Sequence, residues 1–175
     1  MDVSEQEMKL RLRLAQLERH EACQTDFLTF VKNMWPDFIA GRHHKIIAEK
    51  LERVANGELK RLIINMAPRH TKSEFASFLF PAWMMGKNPK MKIIQATHTT
   101  ELAVNFGRKT KNLIDSDDFK DIFPDVKLAA DSKASGRWDT SSGGMYYAVG
   151  VGSNLAGRGG DLVIIDDPHS EQTAM

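Results

Sequence analysis

Residues 62–74 read LIINMAPRHTKSE: a short apolar run, a loop, and a Lys72–Ser73 pair ahead of a helical stretch. A lysine and a hydroxyl residue between a buried strand and a helix suit polyphosphate binding. Backbone N–H groups at the helix start face the anion, the lysine reaches the β- and γ-phosphates, and the hydroxyl holds magnesium. The loop lacks the glycines of the usual pattern. In G-x-x-x-x-G-K-[ST] register, Met66 and Thr71 stand in their places. The exchange at Thr71 matters most, because glycine there lets the backbone approach phosphate with no Cβ in the way. Taken alone, Lys-Ser after a strand is weak evidence, and a buried strand running into a polar loop is the simpler reading.

A second run, LVIIDDP at 162–168, ends an apolar stretch in two carboxylates. Open α/β sheets bind ligands at the C-terminal ends of their strands, so a strand ending in Asp166 brings its carboxylate beside the loop. A magnesium nucleotide needs a carboxylate to hold the metal or its waters, and Asp166 is suited to that. Asp167 is then placed to orient or deprotonate an attacking water. An acidic turn before Pro168 is the plainer alternative. With both features in one chain, a nucleotide site outweighs it.

These residues need elements to hold them. Leu10, Leu14 and Leu17 recur at helical spacing among charges, predicting an amphipathic helix over residues 5–22 docked on the body of the protein. TDFLTFVKNMW predicts a helix ending before Pro36, and HHKIIAEKLERVAN another closed by Gly57. Strands then alternate with helices. RLIINM (61–66) reads as a strand. KSEFASFLFPAWMMG (72–86) reads as a helix with Phe75, Phe78, Leu79 and Ala82 on one side, kinked or ended by Pro81. MKIIQAT (91–97) is a second strand and TELAVNFGRKTKNLID (100–115) the helix after it. That order implies right-handed crossovers and a parallel sheet. A polar stretch over 115–136 holds a short helix around DDFKDIF. GRWDTSSGGMYYAVG then predicts a hairpin turning at Ser-Ser-Gly-Gly, and DLVIIDDP a last buried strand.

The chain's 175 residues suffice for one domain with a real core. Its 42% hydrophobic and 27% charged content is that of a soluble globular protein. Lys plus Arg number 24 against 23 Asp plus Glu, so any nucleic-acid surface has to be local. The single cysteine, Cys23, permits no internal disulfide and fits a reducing compartment. No run approaches the roughly 20 apolar residues of a membrane span. The charged N-terminus carries no signal-peptide segment, which predicts a protein working inside the cell that makes it.

Four segments together resemble a known family: GRHHKIIAEKLERVANGELKRLIINMAPRHTKSE, FPAWMMGKNPKMKIIQATHTTELAVNFGRKTKNLI, FKDIFPDVKL and GVGSNLAGRGGDLVIIDDP. They look like the ATPase domain of phage terminase large subunits, the motors that package double-stranded DNA into procapsids. The resemblance covers nearly all of the chain after about residue 25. It implies an α/β fold: a P-loop NTPase (ASCE-type) core with a mainly parallel sheet flanked by helices. Residues 1–24 would form a leading helical extension and 25–175 the ATPase domain, incomplete at its C-terminus.

In that family the loop departs from the glycine pattern and reads Pro-Arg-His-x-Lys-Ser, with Thr71 here in the variable slot. The resemblance implies ATP and Mg2+ as cofactors, with Pro68, Arg69, His70, Thr71, Lys72 and Ser73 as the ATP-binding loop. Lys72 takes the role of the phosphate-binding lysine, Ser73 of the magnesium-bound hydroxyl, and Arg69 of an arginine that senses or stabilises the γ-phosphate. Asp166 matches the metal-associated aspartate. Asp167 stands where many relatives carry a catalytic glutamate, one methylene longer. Arg158, in LAGRGGD, stands where related motors carry an arginine acting across the subunit interface, which couples hydrolysis to neighbour contact. A surface arginine in a glycine-rich turn is an equal alternative. WPDFIAGRHH resembles the adenine-contacting region, implying stacking by Trp35 or hydrogen bonding from His43 or His44. Packing among the leading helices is the other role open to them. The implied partners are double-stranded DNA, a terminase small subunit, a portal protein and further copies in a ring, in the host cell cytoplasm.

Other clusters carry less. Cys23, His43 and His44 do not make a zinc ligand set. Lys87, Lys90 and Lys92, and Arg108, Lys109 and Lys111, are candidates for contact with a DNA backbone, although such lysines taken singly are usually only solvated. Tyr146 and Tyr147 read as packing residues. The densest acidic group is Asp161, Asp166, Asp167 and Glu171, with two members already assigned, so no nuclease activity is expected. Relatives continue into a coupling motif and a nuclease domain that are not in these residues. Two other functions stay open: a helicase-like P-loop translocase, and a non-catalytic fragment that only binds nucleotide or partners.

Overall fold

The second half of the chain builds the sheet. The computed structural model describes residues 3–132, 134–153, 155 and 157–169, so Glu171 lies outside the described residues. Strands β1 (Lys92–Thr97), β2 (Arg137–Asp139), β3 (Met145–Gly150) and β4 (Leu162–Asp166) form one sheet in the order β2-β3-β1-β4. β1 pairs in parallel with both β3 and β4, and β2 runs antiparallel to β3. The protein is therefore mixed α/β with a mostly parallel four-stranded sheet. β1 is buried from Ile93 to Thr97, as a strand covered on both faces and both edges must be. The expected hairpin is the β2–β3 pair. Its turn is closed by the Thr140 N–H on Gly144 O at 2.9 Å, and Gly143 supplies the left-handed φ of +90° that the turn requires.

Helices α1 (Val3–Thr25), α2 (Phe27–Met34), α3 (Arg42–Ala55), α4 (Phe80–Lys87), α5 (Thr100–Asp115) and α6 (Asp117–Ile122) contribute to the main core with Ile93, Tyr146, Ala148 and Trp138 of the sheet. Phe27, Phe75, Phe80 and Trp83 are at most 2% exposed and form its aromatic centre. The sheet's other face carries a small cluster, Ile94, Ala96 and Val149 with Tyr147 and Leu155. Val163 and Ile165 of edge strand β4 remain 54% and 63% exposed.

Three elements differ from their sequence expectation. Residues 61–66 are not a strand. Leu62, Ile64 and Met66 are half-buried against the core while Arg61, Ile63 and Asn65 are exposed, so the two-residue alternation is there. No backbone hydrogen bond joins the segment to a neighbour among the described residues. Side-chain burial fixes the alternation, whereas a ladder needs an aligned neighbouring edge.

The leading helix forms but is not docked along its length: Leu10, Leu14 and Leu17 are 71%, 56% and 48% exposed. Its C-terminal end is anchored, by buried Cys23, whose carbonyl accepts from Trp83 Nε1 at 2.8 Å, and by Gln24, which donates to Ile122 O. The free turns are supported locally by Lys9–Glu5 and Arg11–Glu7 pairs at i, i+4 spacing.

Pro81 neither ends nor simply kinks the helix after the loop. That helix runs as a π-helical segment over Glu74–Leu79 and returns to α at Phe80. Proline has no N–H for the carbonyl four residues back and crowds it, and a wider turn accommodates both. No helix among the described residues is long and apolar enough to cross a membrane.

Candidate active site

Beyond half-buried Met66 the chain leaves the core, and residues 67–70 are exposed. Arg69 and Thr71 have φ of +64° and +61°, left-handed conformations that a non-glycine residue adopts at a cost. Thr71 thus holds the backbone shape for which glycine is normally selected. A loop alternating such residues is of the kind that gathers successive N–H groups into one anion-binding concavity. The helical path starts at Lys72, with Thr71 O accepting from Phe75 N at 3.0 Å. Lys72 and Ser73 therefore sit in the first helical turn, where N–H groups have no partner within the helix.

The end of β4 meets this loop. Lys72 Nζ lies 2.6 Å from Asp167 Oδ1 and 3.6 Å from Asp166 Oδ1. The hydrogen bond to Asp167 and then the charges of both aspartates hold the lysine's pKa above its ordinary value, against the opposing effect of burial. Asp166 is buried, and its second oxygen accepts from Ser77 Oγ at 2.9 Å, which fixes the carboxylate plane. Asp167 turns out of the strand with φ +42° and is exposed. Three of the four left-handed non-glycine residues among those described are thus Arg69, Thr71 and Asp167, and backbone strain gathered in this way is a mark of functional sites. Between loop and strand end lies a cleft of 460 Å³ lined by residues 66–74 and Asp167. Its size suits a small-molecule ligand.

The expected loop residues Pro68, Arg69, His70, Thr71, Lys72 and Ser73 all line this cleft. Asp166, Trp35, His44 and Arg158 do not. Trp35 packs half-buried on Phe38, with ring centroids 5.0 Å apart. Arg158 lies over the Tyr147 ring at 4.2 Å, on the sheet face away from the main core. Both ring nitrogens of His44 are engaged within the chain, to Gly41 N and Thr71 Oγ1, so an adenine contact by His44 would need one of those bonds to open.

Two residues at the site were missed. Ser77 was legible as the only hydroxyl in the apolar run EFASFLF, four residues after Ser73 and so on the same helix face. Glu74 lines the cleft and pairs with Lys109 at 2.7 Å, which no local pattern announces. Lys109 is thereby paired on the surface, and Lys111 donates to Ser132 O.

The donor set fits a hard divalent cation arriving with phosphate. Among the described residues no group of three His, Cys, Asp or Glu makes a metal cage. Magnesium seldom uses one: it is held by one or two carboxylates together with substrate phosphates. Asp166 and the Ser73 hydroxyl are the groups available for that.

His44 also sets a pH dependence. Burial, then the neighbouring His43 and His70, push its pKa below the ordinary imidazole value. The unfolded chain therefore takes up a proton here before the folded one does. The contribution to stability is full above about pH 6.5 and falls as pH drops toward the lower folded-state pKa. Urea titrations of parent and His44→Gln are expected to show a stability difference that favours the parent at pH 7.5 and narrows by pH 5.5. A difference constant over that range refutes it.

No protein-family model, no curated protein and no solved structure matches the chain.

Proposed function

We propose that the protein is a magnesium-dependent ATPase of the P-loop class, and more narrowly the ATP-hydrolysing part of a terminase-like DNA-packaging motor. The single observation that carries the ATPase reading is Lys72 Nζ standing between the Asp166 and Asp167 carboxylates in a cleft whose loop is left-handed at Arg69 and Thr71. The narrower reading is supported by the sequence resemblance, above all by the Pro-Arg-His-x-Lys-Ser order.

Each side chain has a task in this scheme. Lys72 exchanges Asp167 for the β- and γ-phosphates, which lets Asp167 turn to a water positioned for in-line attack. Arg69 adds charge at the γ-phosphate. Asp166, held by Ser77, and the Ser73 hydroxyl hold magnesium, which when bound neutralises charge on the phosphates. Arg158 on its exposed loop is the group a neighbouring copy would offer to the transition state, and double-stranded DNA, a portal and a small subunit are the partners of the assembled motor.

Asp166→Asn keeps shape and the bond from Ser77 but removes the charge. Turnover measured against magnesium concentration is expected to move its midpoint upward by about 10- to 100-fold. An unchanged midpoint would remove Asp166 from the metal site. Stimulation by single-stranded nucleic acid with no effect of duplex would favour a helicase-like translocase over a packaging motor.

A further inference from the structure

His44 lies on α3, 27 residues before Thr71 in sequence, yet its Nε2 is 2.7 Å from the Thr71 hydroxyl. The hydrogen-bond network fixes the direction of every proton. Gly41 N–H donates to His44 Nδ1 at 2.9 Å, so that nitrogen carries the lone pair and the ring proton sits on Nε2. His44 Nε2–H then donates to Thr71 Oγ1, and the Thr71 hydroxyl donates onward to His70 O at 2.6 Å. The ring has little freedom to turn away. It stacks on Phe75 with centroids 5.1 Å apart, meets Phe38 edge-on at 4.8 Å, and is buried.

Thr71 needs such support. Its φ of +61° is costly for a β-branched residue. We propose that His44 is a positioning residue: its Nε2–H holds the Thr71 hydroxyl, and through it the left-handed turn of the phosphate loop, where other loops rely on glycine. The role differs from the adenine contact expected of this histidine. The imidazole acts through the loop. Its effect on nucleotide affinity rests on the function proposed above, whereas its effect on the loop does not.

Cleavage of the intact chain by trypsin after Arg69 and Lys72 reports loop opening without any nucleotide. His44→Phe fills the space without the bond, and Thr71→Val keeps the branched shape without the hydroxyl. Each is expected to raise cleavage at these bonds about three- to tenfold, and the double variant no further. His44→Gln, which can donate and accept at the same places, is expected to restore part of the protection. Because Thr71 lies outside the core, Thr71→Val compared with Thr71→Ser decides the matter even if His44→Phe does not fold. Additive effects, or an unchanged rate in Thr71→Val, overturn the proposal, as does a nitrogen NMR spectrum placing the His44 proton on Nδ1. Binding of Mg–ATP is measured on the same proteins, and both single variants are expected to weaken it by a common factor. If the parent binds no Mg–ATP, the ATPase function fails, while the cleavage pattern still settles the role of His44.

Discussion

Replacing Lys72 by alanine is expected to lower ATP turnover by about 10²–10³-fold or more, the scale seen when one preorganised charge-stabilising donor is lost. The lysine is a large share of the site's positive charge, held 2.6 Å and 3.6 Å from two carboxylates that would otherwise repel a polyphosphate. Without it, Asp167 faces the cleft and Asp166 lies behind it with neither charge compensated by the lysine, so affinity falls together with turnover. A thermal shift separates these effects. At nucleotide concentrations near 100 times Kd the parent gains about 2.7 kcal/mol, and Lys72→Ala at the same concentration is expected to gain none. Equal turnover by parent and variant would identify a contaminating ATPase. A parent that binds Mg–ATP without turning it over would favour the non-catalytic alternative.

The chemistry of the site was more legible than its mechanics. Lys72 and Asp166 could be placed together because a strand's C-terminal end and a following helix start are where α/β sheets present their ligand groups. How Thr71 adopts a glycine-like backbone was not legible, because the bond that holds it comes from α3 and no local window contains both ends. The sheet was read with the same asymmetry. The apolar run RLIINM was read as a strand: Leu62, Ile64 and Met66 do turn toward the core, which is a local property, but the ladder, which depends on a neighbour, is not formed. In α1 the leucine spacing is genuine, but spacing reports that a face is apolar and not that anything lies beneath it. Ser77 was readable from its isolation among apolar residues, whereas the Glu74–Lys109 pair joins two helices and left no trace in either.

Phe27→Ala is expected to cost about 3–5 kcal/mol of folding stability, the range for removing a fully buried aromatic ring. Phe27 is 0% exposed and touches four other rings: Trp83 at 5.3 Å, Phe80 at 5.6 Å, Phe75 at 5.8 Å and Phe30 at 6.3 Å. Its edge contacts with Phe75 and Phe80 grip both ends of the π-helical segment, where the hydrogen-bond register is wider and the backbone alone holds less firmly. The cavity should therefore be felt at the site as well as in the core, since Phe75 lies two residues beyond Ser73 and carries the stacked ring of His44. Urea denaturation gives the global term, with Leu10→Ala as the control. That leucine is 71% exposed, and its loss should change stability by no more than about 0.5 kcal/mol. Tryptic cleavage after Arg69 gives the local term and is expected to rise in Phe27→Ala under conditions where the fold is still fully populated. A cost below about 1 kcal/mol would mean the aromatic centre repacks freely. A full cost with an unchanged loop would mean that the cleft is held by the His44–Thr71 bond alone, with the core beneath it serving only the fold.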